Sequence, residues 1–323
     1  MHHYRNLEGF YLENSWATIG SFDGVHRGHQ SLIKQMVASA HATGNPAVVV
    51  TFYPHPAVVL RGIQEPYYLT SPDERADLLH DLGVDTIITL KFDLALASQS
   101  AEEFMATLSK HIGLQQLWVG PDFALGKGRQ GNLPVLKEIG KNLGYNLNVV
   151  EQVSAGDERV SSRQIRSLIM DGKIKEAAEM LGRLYSVKGE VVHGDGRGRG
   201  LGIPTANLQV WPERLLPANG IYATWVNWRD QHLASVTNVG VRPTFDHFAA
   251  VPQVEAFILD FDQDIYQEEI EVEFVEFFRP EIRYTSVKDL MDQIHKDIEQ
   301  AREVLSHDTR TPGLPARSPK AES

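Results

Sequence analysis

Between Ser15 and Val149 the chain repeats one alternation: a short β-branched run, an amphipathic stretch of helical period, then another run. Ala47 to Phe52, AVVVTF, is apolar throughout and bounded by Asn45-Pro46 and by Pro54, as a strand buried on both faces should be. SPDERADLLHDLG opens with a Ser71 cap, Pro72 at the first helical position and acids in the first turn, and stops at Gly83. DTIITL, AEEFMATLSKHI, LQQLWVG, LPVLKEIGKNLG and NLNVVEQV continue the series. Few folds accept this order. It predicts a parallel sheet with helices on both faces, whose ligands lie beyond the carboxyl ends of the strands.

The texture changes in the second half. Ser161 to Gly182 reads as one more helical segment. From Tyr185 come short β-rich runs with glycine and proline turns: YSVKGEVVHG, GIYATWVNW, HLASVTNVG, VEAFILDFD and EIEVEFVEFF. Such spacing predicts an antiparallel barrel or sandwich. Glu269, Glu271 and Glu273 alternate with Ile270, Val272 and Phe274, so these acids are expected on a solvated sheet face. A final helix, Val287 to Leu305, places Leu290, Ile294, Ile298 and Ala301 on one side. Ser306 to Ser323 is rich in proline and small polar residues and is expected to be disordered.

A chain of 323 residues exceeds what one core usually holds, so two domains are expected. The net charge of −11 argues against a general binder of nucleic acid or membrane surfaces, which need a basic field. A polyanionic ligand must therefore be met by local positive groups. With no cysteine, disulfides, thiolate metal sites and cysteine nucleophiles are excluded. The N-terminal MHHYRNLEGFYLENS lacks the pattern of a signal peptide, and no stretch reaches the roughly 20 apolar residues that span a bilayer. A soluble cytoplasmic protein is the expectation.

Two segments carry phosphate chemistry. Ile19 to His29, IGSFDGVHRGH, sets two histidines three apart after an apolar strand. A strand ending at Gly20, a turn through Phe22, Asp23 and Gly24, and a helix from about Gly28 would offer free amides and a positive helix end to an anion. His26 and His29 at that end could donate to phosphoryl oxygens as a P–O bond breaks. Gly194 to Asn207, GDGRGRGLGIPTAN, is the second. Its glycines let amides close around phosphates, and Thr205 and Asn207 are hard oxygen ligands suited to Mg²⁺ held by a nucleotide. Ser161-Ser162 alone reads as an ordinary helix cap, and Pro54-His55-Pro56 equally as a rigid strand exit or a binding element.

FDGVHRGH, TFYPHP, VGPDFALGKGRQGN, VSSRQIRSLI, GRGLGIPTANL, PANGIYA, NVGVRPTF and VEAFILDF stand in the order seen in bacterial bifunctional riboflavin kinase/FMN adenylyltransferases, and from Ser15 to about Leu305 the chain resembles that family. The resemblance implies an N-terminal Rossmann-like nucleotidylyltransferase domain (1–183), a C-terminal antiparallel β-barrel flavokinase domain with a terminal helix (184–306) and a tail (307–323). It implies that riboflavin is phosphorylated to FMN and FMN adenylylated to FAD, with ATP as co-substrate and Mg²⁺ as cofactor. Riboflavin, FMN, FAD and ATP/ADP are then the partners, without nucleic acid or membrane, and a homo-oligomer is compatible with it.

By the same resemblance His26 and His29 engage the ATP phosphates, with Gly20, Phe22, Asp23, Gly24, Ser161, Ser162 and Arg166 completing that site. His55, Pro56, Asp122 and Phe123 line flavin and adenine pockets. In the second half Gly196, Gly202, Pro204, Thr205 and Asn207 bind ATP, the last two also the metal. Glu255 is the general base on the riboflavin 5′-hydroxyl, and Arg242 a supporting contact grouped with the flavin side. Leu125, Asn132 and Arg163 depart from the family's letters. They motivate two alternatives: a kinase with a weak or specialised adenylyltransferase domain, or a non-catalytic flavin- or nucleotide-binding regulator.

Overall fold

The computed structural model describes residues 2–151, 154–155, 158–194, 202–242 and 251–308, with backbone alone at 154–155, 158–159, 241–242 and 251–252. Contacts divide the chain into two compact units, Met1–Ser162 and Arg163–Ser323. Among the described residues no helix is long and apolar enough to cross a membrane. Gly196, the side chain of Arg242 and the tail 309–323 lie outside the described residues.

In the first unit β1 (His2–Tyr4), β2 (Ser15–Ile19), β3 (Ala47–Tyr53), β4 (Thr86–Lys91), β5 (Leu114–Val119) and β6 (Asn146–Val149) form one sheet in the order β1-β4-β3-β2-β5-β6. All five pairings are parallel. The edge strand β1 leaves no signal in the sequence, because three residues carry no period.

α1 (Arg27–Ala42) and α3 (Pro72–Asp81) cover one face, over a core of Ile33, Met36, Val49, Leu79 and Ile87. α5 (Ala101–Ile112) and α6 (Leu133–Leu143) cover the other, over Ile19, Val50, Met105, Leu117 and Leu136. Short helices α2 (Pro56–Arg61) and α4 (Leu94–Ser98) lie in the connections. The helix starts follow the letters: Ser71 with Glu74 and Ser100 with Glu103 form reciprocal capping boxes. Strand order turns outward on both sides of β2, which opens a crevice at the carboxyl ends of β2 and β5.

The second unit begins with two helices rather than one. α7 (Ser162–Met170) and α8 (Ile174–Leu181) are separated at Gly172, whose φ of 73° no helix accommodates. β9 (Tyr185–Val192), β10 (Ala206–Val210), β11 (Gly220–Trp228), β12 (Gln231–Arg242), β13 (Val251–Ile258) and β14 (Glu269–Arg279) close an antiparallel barrel in the order β10-β13-β12-β11-β14-β9. Closure selects the barrel over the sandwich. Two small β-strands, β7 (Ser154–Ala155) and β8 (Glu158–Arg159), pair antiparallel.

α9 (Val287–Ser306) packs on the outer wall of the barrel over Ala223, Trp225, Val236 and Val275. One expectation fails here. Glu269 is exposed and Glu271 half-buried, but Glu273 is buried at 6% exposure. Glu273 stands across from Ser186 on β9 and from Trp225 on β11, within the closed barrel wall.

Candidate active sites

The first site grows from a strained turn. Phe22, Gly24 and Val25 all have positive φ, 47°, 80° and 41°, and for a β-branched valine this is a costly backbone. Asp23, 1% exposed, holds the turn: its carboxylate accepts from the backbone N–H of Leu69 and Thr70 at 3.1 Å and from Thr70 Oγ1 at 3.2 Å. Gly24 N–H donates back to Thr70 Oγ1 at 3.2 Å. Asp23 and Gly24 thus build the turn from behind, outside the cavity lining.

The turn delivers the histidines to the start of α1. His26 is the N-cap, its Nδ1 accepting from His29 N–H at 3.4 Å, and the two rings stack with centroids 3.6 Å apart. Phe22 meets His29 edge-on at 5.1 Å. A Cβ on Gly28 would come within 3.2 Å of the His26 ring, so the close stack needs glycine there. His29 retains some solvent access yet is enclosed by protein, and this desolvation holds its imidazole well below the ordinary value of 6.5, with His26 and then Arg75 adding to the effect. Its Nδ1 has no hydrogen-bond partner among the described residues. A neutral imidazole at a helix N-terminus suits a phosphoryl oxygen.

A cavity of about 330 Å³ opens beside this pair. Gly20, Phe22, His26, His29, Ser161 and Ser162 line one part, and Gly120, Asp122, Phe123 and Glu151 another. Ser162 Oγ donates to the Asp23 carbonyl at 2.8 Å, which ties the Ser161-Ser162 pair to the turn. Arg166 lies in the next turn of α7, 8% exposed. His55 and Pro56 are not in this lining. His55 caps α2, its Nδ1 accepting from Ala57 N–H at 3.0 Å, and Pro56 is the first helical residue. The His55 ring lies 5.2 Å from Tyr67, beyond the carboxyl end of β3.

The departures from pattern are absorbed locally. Leu125 packs on the core and pairs with Gly131 through two backbone hydrogen bonds, while Asn132 caps α6 by accepting from Val135 N–H at 3.2 Å. Arg163 is exposed on α7.

The second site lies on the outer wall of the barrel. Alternation turns Val254, Ala256 and Ile258 into the core and leaves Glu255 and Phe257 on the outside. There α9 roofs them, making a cleft of about 290 Å³ lined by Thr205, Val236, Asn238, Glu255, Phe257, Leu290 and Ile294. Asn207 stands directly across from Glu255 in the β10–β13 ladder, and Asn238 across from it in the β12–β13 ladder. Residues so paired face the same way about 5 Å apart. Asn207 is the second residue of β10.

Asn207 is 8% exposed, and its Oδ1 accepts from Gln253 Nε2 at 3.3 Å. Thr205 is half-buried just before β10, preceded by Gly202 and Pro204, both exposed. Among the described residues no cluster of three His, Cys, Asp or Glu could cage a metal. A hydroxyl and an amide oxygen instead suit a hard cation that keeps most of its shell from water and phosphate.

The roof is latched. Arg279 Nε and Nη2 grip Asp297 Oδ1 and Oδ2 at 3.1 and 2.6 Å, and Gln293 Nε2 donates to Asp297 Oδ1 at 2.9 Å. The pairing raises the Arg279 pKa further. Asn238 Nδ2 donates to Glu281 Oε1 at 3.0 Å.

Comparison with known proteins covers both halves of the chain. Residues 11–164 match the FAD synthetase family and residues 181–305 the riboflavin kinase family. A bifunctional riboflavin kinase/FMN adenylyltransferase of Listeria monocytogenes is 34% identical over 303 residues, 94% of this chain and 96% of that protein. One of Escherichia coli K12 is 34% identical over 300 residues, 92% and 95%. A solved structure described as a macrolide-efflux protein from Streptococcus pneumoniae has a TM-score of 0.84 at 32% identity, covering 93% of this chain and 98% of that one. On these similarities, which run through both halves, the chain belongs to the bifunctional riboflavin kinase/FMN adenylyltransferase family.

Proposed function

We propose that the barrel transfers the γ-phosphoryl group of ATP to riboflavin and that the sheet unit joins the resulting FMN to AMP from a second ATP, so that one chain makes FAD. In the barrel Glu255 takes the proton of the riboflavin 5′-hydroxyl as its oxygen bonds to the γ-phosphorus and ADP leaves. Thr205 and Asn207 would hold Mg²⁺, which when bound offsets charge on the phosphates. Gly196, Gly202 and Pro204 shape the nucleotide side, Arg242 supports the flavin side, and the cleft under α9 takes the ring.

In the sheet unit an FMN phosphate oxygen attacks the α-phosphorus and pyrophosphate departs, so no protein nucleophile is needed. His26, His29, Ser161, Ser162, Arg166 and the start of α1 hold the triphosphate, while Gly20, Phe22, Asp23 and Gly24 set the turn. Asp122 and Phe123, with His55 and Pro56, serve the flavin and adenine ends. Functional domains of 1–183 and 184–306 follow, because Ser162 and Arg166 belong to the sheet-side motif even though Arg163 onward groups with the barrel. The partners are riboflavin, FMN, FAD and ATP/ADP in the cytoplasm, with neither nucleic acid nor membrane; a homo-oligomer is compatible.

The observation that supports this most is two separate cavities, one beside the stacked histidines and one over Glu255 across from Asn207. Incubating the protein with riboflavin, ATP and Mg²⁺ and separating the flavins tests it. His29→Ala should abolish FAD and spare FMN, and Glu255→Ala should abolish FMN yet leave FAD formation from added FMN. Loss of both activities by either substitution in a folded protein would overturn the division of labour.

A further inference from the structure

Arg75 is a fully buried cation that the proposed chemistry does not use. It lies in α3, 0% exposed, on the helix face that also buries Ala76 and Leu79. Its Nη1 donates to the Ser21 carbonyl at 2.6 Å, to Thr51 Oγ1 at 3.0 Å and to the Phe52 carbonyl at 3.2 Å. Thr51 Oγ1 donates to the same Ser21 carbonyl at 3.0 Å. One guanidinium therefore ties together the carboxyl ends of β2 and β3, where the strained turn departs.

The contact continues to the histidines. Ser21 precedes Phe22, whose ring packs so closely on Gly20 that a Cβ there would lie 2.9 Å from it, and whose edge meets His29 at 5.1 Å. The titratable groups acting on His29 are His26, its stacked neighbour at the N-cap of α1, and Arg75. A chain of net charge −11 needs a local source of positive potential where a triphosphate is to sit. An arginine keeps its charge at any working pH, which the depressed His29 imidazole does not.

We propose that Arg75 is a positioning residue of the nucleotidyl-transfer site: it clamps the Ser21 carbonyl to set Phe22 against His29, and it supplies the fixed positive charge under the triphosphate. This rests on the assignment of FAD formation to the sheet unit. Arg75 touches no substrate; it acts through the turn and through its field.

Arg75→Gln keeps one donor for the clamp and loses the charge, while Arg75→Lys keeps the charge and loses the planar fork. FAD formation from FMN and ATP, riboflavin phosphorylation by the same preparation, and the His29 imidazole titration followed by NMR are measured for both. Arg75→Gln should raise the KM for ATP about tenfold and move the His29 titration upward by about half a unit or more. Arg75→Lys should recover most of the KM and hold the titration low. Riboflavin phosphorylation should be unchanged in both, which also reports folding of the other unit.

Equal losses in both variants with an unmoved His29 titration would overturn the charge role. If Arg75→Gln does not fold, Thr51→Val removes the second donor on the Ser21 carbonyl and leaves the charge. It should lower kcat for FAD formation with little change in KM for ATP, and an unchanged kcat would overturn the clamp. Wild-type protein that makes no FAD would instead defeat the underlying assignment.

Discussion

Gly28→Ala separates stability from geometry at one atom. Gly28 is the second residue of α1, and alanine in a helix is favoured over glycine by about 0.5 to 1 kcal/mol. The added Cβ would lie 3.2 Å from His26 Cε1 and 3.3 Å from Nδ1, so the ring must give by a few tenths of an ångström. His26 cannot yield freely, being 5% exposed and stacked on His29 at 3.6 Å. Forcing it off its rotamer costs about 0.5 to 1.5 kcal/mol, which roughly cancels the helical gain. Stability should therefore stay within about 1 kcal/mol of wild type.

Chemistry should suffer more. A misplacement of about 1 Å can cost on the order of 100-fold in rate, so a few tenths should slow FAD formation from FMN about threefold to tenfold. Riboflavin phosphorylation by the same sample is the internal reference, with thermal unfolding alongside. An FAD rate equal to wild type in the folded variant would show that the histidine stack does not set the rate. A parallel fall in both activities would show that the substitution damages the fold.

Other expectations follow the same contacts. The folded-state pKa of His29 lies below 6.5, so the unfolded chain binds more protons as pH falls through 6.5 and stability drops, by up to about 1.4 kcal/mol per pH unit for one group. His29→Gln should flatten that fall when urea unfolding at pH 7.5 and 5.5 is compared, although His3 and His232, also depressed, keep part of it; curves parallel to wild type would contradict the burial argument. Asp297→Asn breaks the latch of α9 and should cost about 2 to 3 kcal/mol, toward the low side for a buried pair because the Arg279 side chain keeps 17% exposure. The KM for riboflavin should rise with FAD formation from FMN untouched, and an unchanged KM would show that α9 holds without it. Asn132→Ala should destabilise by about 1 kcal/mol through the lost cap, whereas Asn132→Asp should keep the cap and leave the FAD rate within about twofold. A large gain in FAD from the aspartate would show that this position acts in catalysis and not only as a cap.

The alternating runs of the first half and the caps at Ser71 and Ser100 are local properties, governed by hydrophobic period and hydrogen bonding within a few residues, and the sequence was sufficient for them. So too the placing of His26 and His29 at the start of α1, which follows from a strand, a glycine turn and a helix in succession. Arg75 left a trace that could have been found, a charge one turn before Leu79 on the buried stripe of α3, but its target carbonyls are 23 and 54 residues away and no local pattern names them.

Only the tertiary structure decided the surroundings of the acids. Glu255 and Glu273 both stand on β-strands, and alternation alone offers an outward-pointing acid to solvent. Barrel closure put Asn207 across from Glu255 and α9 over it, making a cleft. The same closure set Glu273 between Ser186 and Trp225 in the barrel wall, where it is buried instead. The physical reason is the same in both cases: period tells which way a side chain points, and only the packing of distant elements tells what it meets there.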